Sequence, residues 1–254
     1  MSPANHVEFA NVIQMNPLQI VDLGLISYTD AYALQQRVVA ARKVGAIDDV
    51  LLLCEHRHVI TLGRNGKREN LLASEHVLRQ KNVEFHATNR GGDITYHGPG
   101  QIVGYPIFDL SRVKQDVHWY VRMLEEAMIR SSSEFGVAAY RVPGKTGIWV
   151  KAPPTEEKLA AIGVHISRWV TSHGFAYNVS TDLRYFDFII PCGINDRKAT
   201  SLEKLLARAV ALPEVTPHLI RHFSELFAFI PRVVTHKKLL NDLERAEAIS
   251  NSTA

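Results

Sequence analysis

Cysteine is scarce. Cys54 and Cys192 are the two present in 254 residues, too few for a disulfide framework or an all-cysteine metal site, and they fit a reducing compartment. No apolar run approaches the roughly 18 residues that a membrane span requires. Charge of one sign is also lacking: 29 Lys and Arg against 26 Asp and Glu leave +3, without a concentrated basic run. That balance gives no electrostatic case for nucleic acid, although it suits an acidic protein partner. The first fifteen residues carry Glu8, no Lys or Arg and no signal-length apolar core, so neither secretion nor organelle import is predicted, and a cytoplasmic location is expected. Repeats, low-complexity tracts and Pro/Ser-rich linkers are missing too, which makes one α/β domain the simplest organisation. With 46% hydrophobic residues the chain can bury a real core.

Short strand-like runs alternate with helices. Residues 28–43 place Ala31, Leu34, Val38 and Ala41 on one helical stripe, and 115–130 do the same with Val117, Val121, Leu124 and Met128. Strands are predicted over 49–54, 58–62, 83–87, 93–97, 102–108, 147–151, 159–166 and 169–178. Further on, Thr200 and Glu203 have capping-box spacing, and Thr216-Pro217 predicts a helix start that Pro231 should end. A last helix is expected over 235–249, with Leu239, Leu240, Leu243 and Ala246 at helical spacing.

Residues 90–101, RGGDITYHGPGQ, hold four glycines and a proline among Arg90, Asp93, Thr95, Tyr96, His97 and Gln101. The glycines allow close backbone approach or positive φ, and the polar groups around them suit the wall of a site. A glycine-rich hairpin with polar turn residues is the plainer alternative.

The two cysteines differ in context. Cys54 closes the apolar run Val50-Leu51-Leu52-Leu53 and reads as a buried strand residue, whereas Cys192 lies between Pro191 and Gly193, where an apolar segment meets a turn. A nucleophilic thiol needs a basic or cationic neighbour to become thiolate. Lys158, which opens the apolar KLAAIG segment, is one candidate, although a lysine at a strand edge is also an ordinary solvated end. His56 and His58 form an HxH pair, and His165 and His173 lie near the same strands, but a metal site needs three or four convergent ligands and none is expected.

Together these segments resemble the octanoyltransferases of lipoate biosynthesis. The resemblance rests on RGGDITYHGPGQ followed by Val103-Gly104-Tyr105-Pro106, on Lys158 to Gly163, on Ser172 to Val179 and on Pro191-Cys192-Gly193-Ile194. It extends over 21–231, leaving 1–20 as an N-terminal extension and 232–254 as a C-terminal helical one.

The resemblance implies an α/β (α+β) fold of the biotin/lipoate protein ligase kind, a mixed β-sheet with packed helices. It also implies an acyltransferase with Cys192 as nucleophile and Lys158 as base. Octanoyl-acyl carrier protein would be the donor, and a lysine of the lipoyl domains of 2-oxoacid dehydrogenase complexes or of the glycine cleavage H protein the acceptor. No cofactor is expected, because the phosphopantetheine arrives with the carrier, and the protein is expected to be a monomer. The implied acyl-site walls are Arg90, Gly91, Gly92, Asp93, Ile94, Thr95, Tyr96 and His97, then Ala161, Ile162 and Gly163, then Gly174, Phe175 and Ala176. Backbone amides near Gly163 or Gly193 would hold the oxyanion, and His97 would shape the pocket or support the dyad rather than act as base. An ATP-using lipoate or biotin ligase and a non-catalytic binding module are the alternatives; neither requires a nucleophilic cysteine.

Overall fold

A computed structural model describes residues 16–190 and 198–252, with side chains described as far as residue 249. The strands are β1 (Asn16–Ile26), β2 (Asp49–His56), β3 (Val59–Leu62), β4 (Glu84–Ala87), β5 (Ile94–His97), β6 (Gln101–Ile107), β7 (Tyr140–Val142), β8 (Lys145–Ala152), β9 (Thr155–Ser167), β10 (Val170–Asn178) and β11 (Phe229–Val233). The helices are α1 (Tyr28–Lys43), α2 (Glu75–Gln80), α3 (Val117–Ser133), α4 (Leu202–Leu206), α5 (Leu212–Phe227) and α6 (His236–Ser252).

Eight strands form one sheet in the order β11-β1-β2-β6-β10-β9-β8-β7, parallel from β11 to β2 and antiparallel thereafter. A smaller sheet, β4-β3-β5, sits beside it. Period-two patterning assigns the two faces of the large sheet to different cores. Leu51, Leu53, Phe175 and Tyr177 face α3 and α5, whereas Val50, Leu52, Val103, Tyr105 and Ala176 face α1 and α6. A third, smaller core, with Ile60, Ile94 and Tyr96, lies behind β3 and β5.

The apolar stripe of α1 is buried as its spacing predicts, and Ser27 caps the helix by accepting the Asp30 N–H at 3.1 Å. Three expectations need correction. The helix predicted to begin at Thr216-Pro217 begins at Leu212, because Pro213 supplies the first-turn proline and the Glu214 carboxylate accepts the Ala211 N–H at 2.8 Å. Thr216 lies inside that helix, its hydroxyl donating to the Leu212 carbonyl at 2.9 Å. Pro231 does not stop the helix, which ends at Ala228 in the left-handed region; it sits in β11, at the edge of the sheet, where a missing N–H is tolerated. The cap of α4 is Ser201, not Thr200.

The predicted boundaries after residues 20 and 231 fall within β1 and β11, which pair with each other. Leu18 and Ile20 are core residues, and Leu239 and Leu243 of α6 are fully buried against α1. Among the described residues no helix is long and apolar enough to cross a membrane.

Candidate active site

A cavity of about 530 Å³ opens between the large sheet and the segment running from Arg90 to His97. Its floor follows from strand register. Gly163 pairs with Gly174 and Ala161 with Ala176, so four small residues from β9 and β10 lie side by side and leave depth where larger side chains would fill it. Its roof is pinned at one end, where the Gly91 N–H donates to the Val164 carbonyl at 2.8 Å. A Cβ at Gly163 would lie 2.7 Å from the Gly91 carbonyl oxygen, so roof and floor meet this closely because position 163 has no side chain.

Arg90, Gly91, Gly92, Asp93, Ile94, Thr95 and His97 line the cavity from the roof, Ala161, Ile162 and Gly163 from β9, and Gly174, Phe175 and Ala176 from β10. Tyr96 does not. It points to the opposite face of β5, fully buried, with its hydroxyl 2.7 Å from His58 Nδ1 and its ring 5.1 Å from that of Tyr185. Thr95 and His97 face the cavity, whereas the Tyr96 side chain turns into the small core behind β5. Other lining residues had weaker signals: Gln101 lies within the glycine-rich run, whereas Tyr28 begins α1 and nothing in its local pattern marks it.

The His97 imidazole is kept neutral by its surroundings. Burial, with His56 and Arg90 nearby, pushes it down to about 3. Gln101 Nε2 donates to the Tyr96 carbonyl at 3.3 Å and to Asn178 Oδ1 at 2.8 Å, which turns its Oε1 toward His97 Nδ1 at 2.9 Å. His97 therefore carries its proton on Nδ1, and Nε2 accepts from the Thr61 hydroxyl at 3.3 Å. Thr61 Oγ1 in turn accepts from Arg90 Nη2 at 2.9 Å. Both ring nitrogens of His97 are engaged with protein. His173, also pushed down to about 3 chiefly by burial, bonds Asn89 Oδ1 through Nε2 at 2.6 Å.

These two histidines make stability depend on pH. Their folded pKa lies below the ordinary value near 6.5. The stability from keeping them neutral is thus fully present above about pH 6.5 and is lost as pH falls toward 3. The loss is on the order of 1 kcal/mol per pH unit for each histidine. Denaturant unfolding between pH 7 and 5 is expected to show His97→Gln with a shallower slope than the native chain; equal slopes would contradict the assignment.

Lys158 reaches the cavity through a β-bulge. Ile148 pairs with Ala160 but Trp149 with Lys158, so β9 carries one extra residue there. Leu159 and Ala160 consequently both enter the core beneath the sheet, and Lys158 shares the cavity with Ala161. Its ammonium lies 4.9 Å from the centroid of the Trp149 ring, a cation–π arrangement. Lys145 and Lys198 line the same cavity.

Cys192, with Pro191, Gly193 and Ile194, lies outside the described residues. The chain on either side is anchored at the site. Before it, the Ile190 N–H donates to the Asn70 carbonyl at 2.8 Å, and the Asn70 side chain donates to Asp93 Oδ2 at 2.6 Å. After it, the Lys158 N–H donates to the Lys198 carbonyl at 2.8 Å, and the Thr200 N–H to the Lys158 carbonyl at 2.9 Å. Lys158 is thus paired by its own backbone, through an isolated bridge to Ala199, with the residues that follow the Cys192 segment. The other cysteine, Cys54, is buried and its thiol is pushed far up by desolvation, which suits a core residue.

The described residues contain no group of three His, Cys, Asp or Glu that could hold a metal ion. His56 donates through Nδ1 to the Ile26 carbonyl at 3.0 Å and accepts from the Tyr105 hydroxyl through Nε2 at 2.6 Å. His58 Nδ1 meets Tyr96, so the HxH pair is spent on protein contacts.

Known proteins resemble this chain in sequence and in fold. The chain is 55% identical over 207 residues to an octanoyltransferase of Solibacter usitatus, covering 82% of this chain and 91% of that one. It is 50% identical over 228 residues to an octanoyltransferase of Koribacter versatilis, covering 89% of each. The fold is that of a bipartite lipoate protein ligase from Thermoplasma acidophilum, at TM-score 0.69 and 18% identity over 91% of both chains. A lipoate-protein ligase A bound with ATP is equally similar, at TM-score 0.69 and 18% identity over 91% of this chain and 93% of that one. Residues 27–224 match the lipoyl protein ligase A/B catalytic domain. The chain therefore belongs to the lipoyl protein ligase A/B catalytic domain family, and within it to the octanoyltransferases.

Proposed function

We propose that the chain transfers an octanoyl group from octanoyl-acyl carrier protein to a lysine of a lipoyl domain, through a thioester on Cys192. The observation that carries this reading is the placement of Lys158: a bulge turns its ammonium into a mostly apolar cavity, and its backbone pairs with residues 198–200, which follow the Cys192 segment. In the first half-reaction Cys192 Sγ bonds to the octanoyl carbonyl carbon, and the carbon–sulfur bond to phosphopantetheine breaks. Lys158, acting as its neutral amine, takes the proton from Cys192 and passes it to the departing thiol. In the second, the acceptor ε-amine bonds to the same carbon, the bond to Cys192 breaks, and the amine proton returns the thiol by way of Lys158. Thioester exchange is nearly isoenergetic and thioester to amide runs downhill, so neither ATP nor a bound cofactor is required.

The acyl tail would lie on the floor built by Ala161, Gly163 and Ala176, beneath residues 90–97. Its seven carbons beyond the carbonyl are worth on the order of 5 kcal/mol at about 0.8 kcal/mol per buried methylene. Ala161→Leu places three more carbons on that floor and displaces a similar length of tail. Octanoyl transfer is expected to fall by roughly 30-fold, about 2 kcal/mol, with hexanoyl transfer falling less; an unchanged chain-length profile would remove Ala161 from the acyl site.

Acceptors on this reading are the lipoyl domains of 2-oxoacid dehydrogenases and the glycine cleavage H protein, and the enzyme acts as a cytoplasmic monomer. The ligases of the same fold supply the competing reading, activation of a free acid with ATP. The two separate cleanly when purified protein, octanoyl-acyl carrier protein and an unmodified lipoyl domain are mixed without nucleotide. Octanoylation of the domain is expected. Transfer that instead demands ATP and free octanoate or lipoate would replace this reading with the ligase.

A further inference from the structure

We propose that Glu125 and Gly147 are positioning residues for Lys158, holding the bulge that presents it; this rests on the reading of Lys158 as the base. Glu125 belongs to α3, one turn after Val121, which lines the cavity, and its own side chain is 1% exposed. One carboxylate oxygen is held by Arg122 Nη1 at 2.7 Å and Arg141 Nε at 3.0 Å. The other accepts the backbone N–H of Gly147 at 3.0 Å.

Gly147 sits where β8 loses its place. Its successor Ile148 pairs with Ala160, the next residue Trp149 skips to Lys158, and on the other side the β7–β8 pairing shifts between Tyr140 and Val142. Gly147 itself pairs in register with neither strand. Its buried N–H needs an acceptor that the ladder does not supply, and Glu125 provides one.

The residue is also shaped for Lys158. Its φ is +107°, a conformation open to glycine, and a Cβ there would lie 2.4 Å from the Ala160 carbonyl oxygen and 3.1 Å from Lys158 Cε. The bulge carbonyl and the lysine stem thus both rest on the bare face of Gly147. The Glu125 carboxylate on α3 fixes that backbone, and the backbone fixes the stem of Lys158.

The test is a double-mutant cycle on single-turnover octanoyl transfer, with thermal unfolding confirming that each variant folds. Glu125→Ala is expected to slow transfer about 30-fold, within the range a misplacement near 1 Å produces, with KM for octanoyl-acyl carrier protein changed less than about twofold. Glu125→Gln keeps an acceptor for the Gly147 N–H and is expected to stay within about threefold of native. Gly147→Ala is expected to cost about 100-fold. In a Lys158→Ala background neither Glu125→Ala nor Gly147→Ala is expected to lower the rate further, because the group they position is gone. Native rates for Glu125→Ala and Gly147→Ala, or losses that persist in full in the Lys158→Ala background, would overturn the positioning role alone. A native rate for Lys158→Ala by itself would overturn the reading of Lys158 and this role with it.

Discussion

Cys192→Ala is expected to lower octanoyl transfer to a lipoyl domain by roughly 10⁴-fold or more, the scale on which removal of a covalent nucleophile acts. An uncharged acceptor amine can attack the carrier thioester directly, but it would then have to bind at the same moment as the bulky carrier. Splitting the reaction at an acyl-enzyme would let two proteins use one cavity in turn, with the acyl chain left behind between visits. Cys192→Ser is expected to be nearly as slow, because a hydroxyl beside an amine is far less ionised than a thiol and its oxyester would form sluggishly. Mass spectrometry of the lipoyl domain over time reads both variants. Turnover within tenfold of native for Cys192→Ala would require a direct, non-covalent route.

The second large effect belongs to Lys158. Lys158→Met keeps an unbranched side chain against the Trp149 ring, where the ammonium now lies 4.9 Å from the centroid, and removes the nitrogen. A positioned base contributes about 10²–10⁴-fold, so kcat is expected to fall by about 10³ with KM for the carrier altered by less than about threefold. Both half-reactions should slow, since each needs a proton moved at the same place: first off the thiol, then off the acceptor amine. Burst kinetics with octanoyl-acyl carrier protein separate them. A variant slow only in the second half-reaction would restrict Lys158 to the acceptor, and one with native kinetics in both would remove it from the mechanism.

The site was legible in the sequence where it depends on local chemistry and illegible where it depends on register. The glycine-rich run at 90–101 announces close approach through composition alone, and β9 and β10 read as strands from their own patterns. Tyr96 was grouped with its neighbours on the cavity wall, yet a strand cannot turn Thr95, Tyr96 and His97 the same way, and the third core claims the middle one. The presentation of Lys158 could not be read locally at all. Strict period two would send Lys158 to the same face as Ala160; the extra residue in β9 reverses that, and its cause lies in Gly147 and Glu125 on two other elements.

The same distinction runs through the fold. The 3.6-residue stripe of α1 needed no distant partner to be recognised. β1 and β11 went unpredicted because each owes its place to the other: Leu18 and Pro231 share one rung at the sheet edge, more than two hundred residues apart. Pro231 reads as a helix stop in sequence and serves as an edge-strand residue in space. Local rules name the turn chemistry, and tertiary pairing decides what the turn connects.

The proposed chemistry turns on an acyl-enzyme at Cys192. Intact-mass measurement of the native protein after mixing with octanoyl-acyl carrier protein, with no lipoyl domain present, tests it most directly. The protein is expected to gain one octanoyl unit, located on the Cys192 peptide, labile to hydroxylamine and discharged when a lipoyl domain is added. No gain in mass, or the same labile gain in Cys192→Ala, would contradict it.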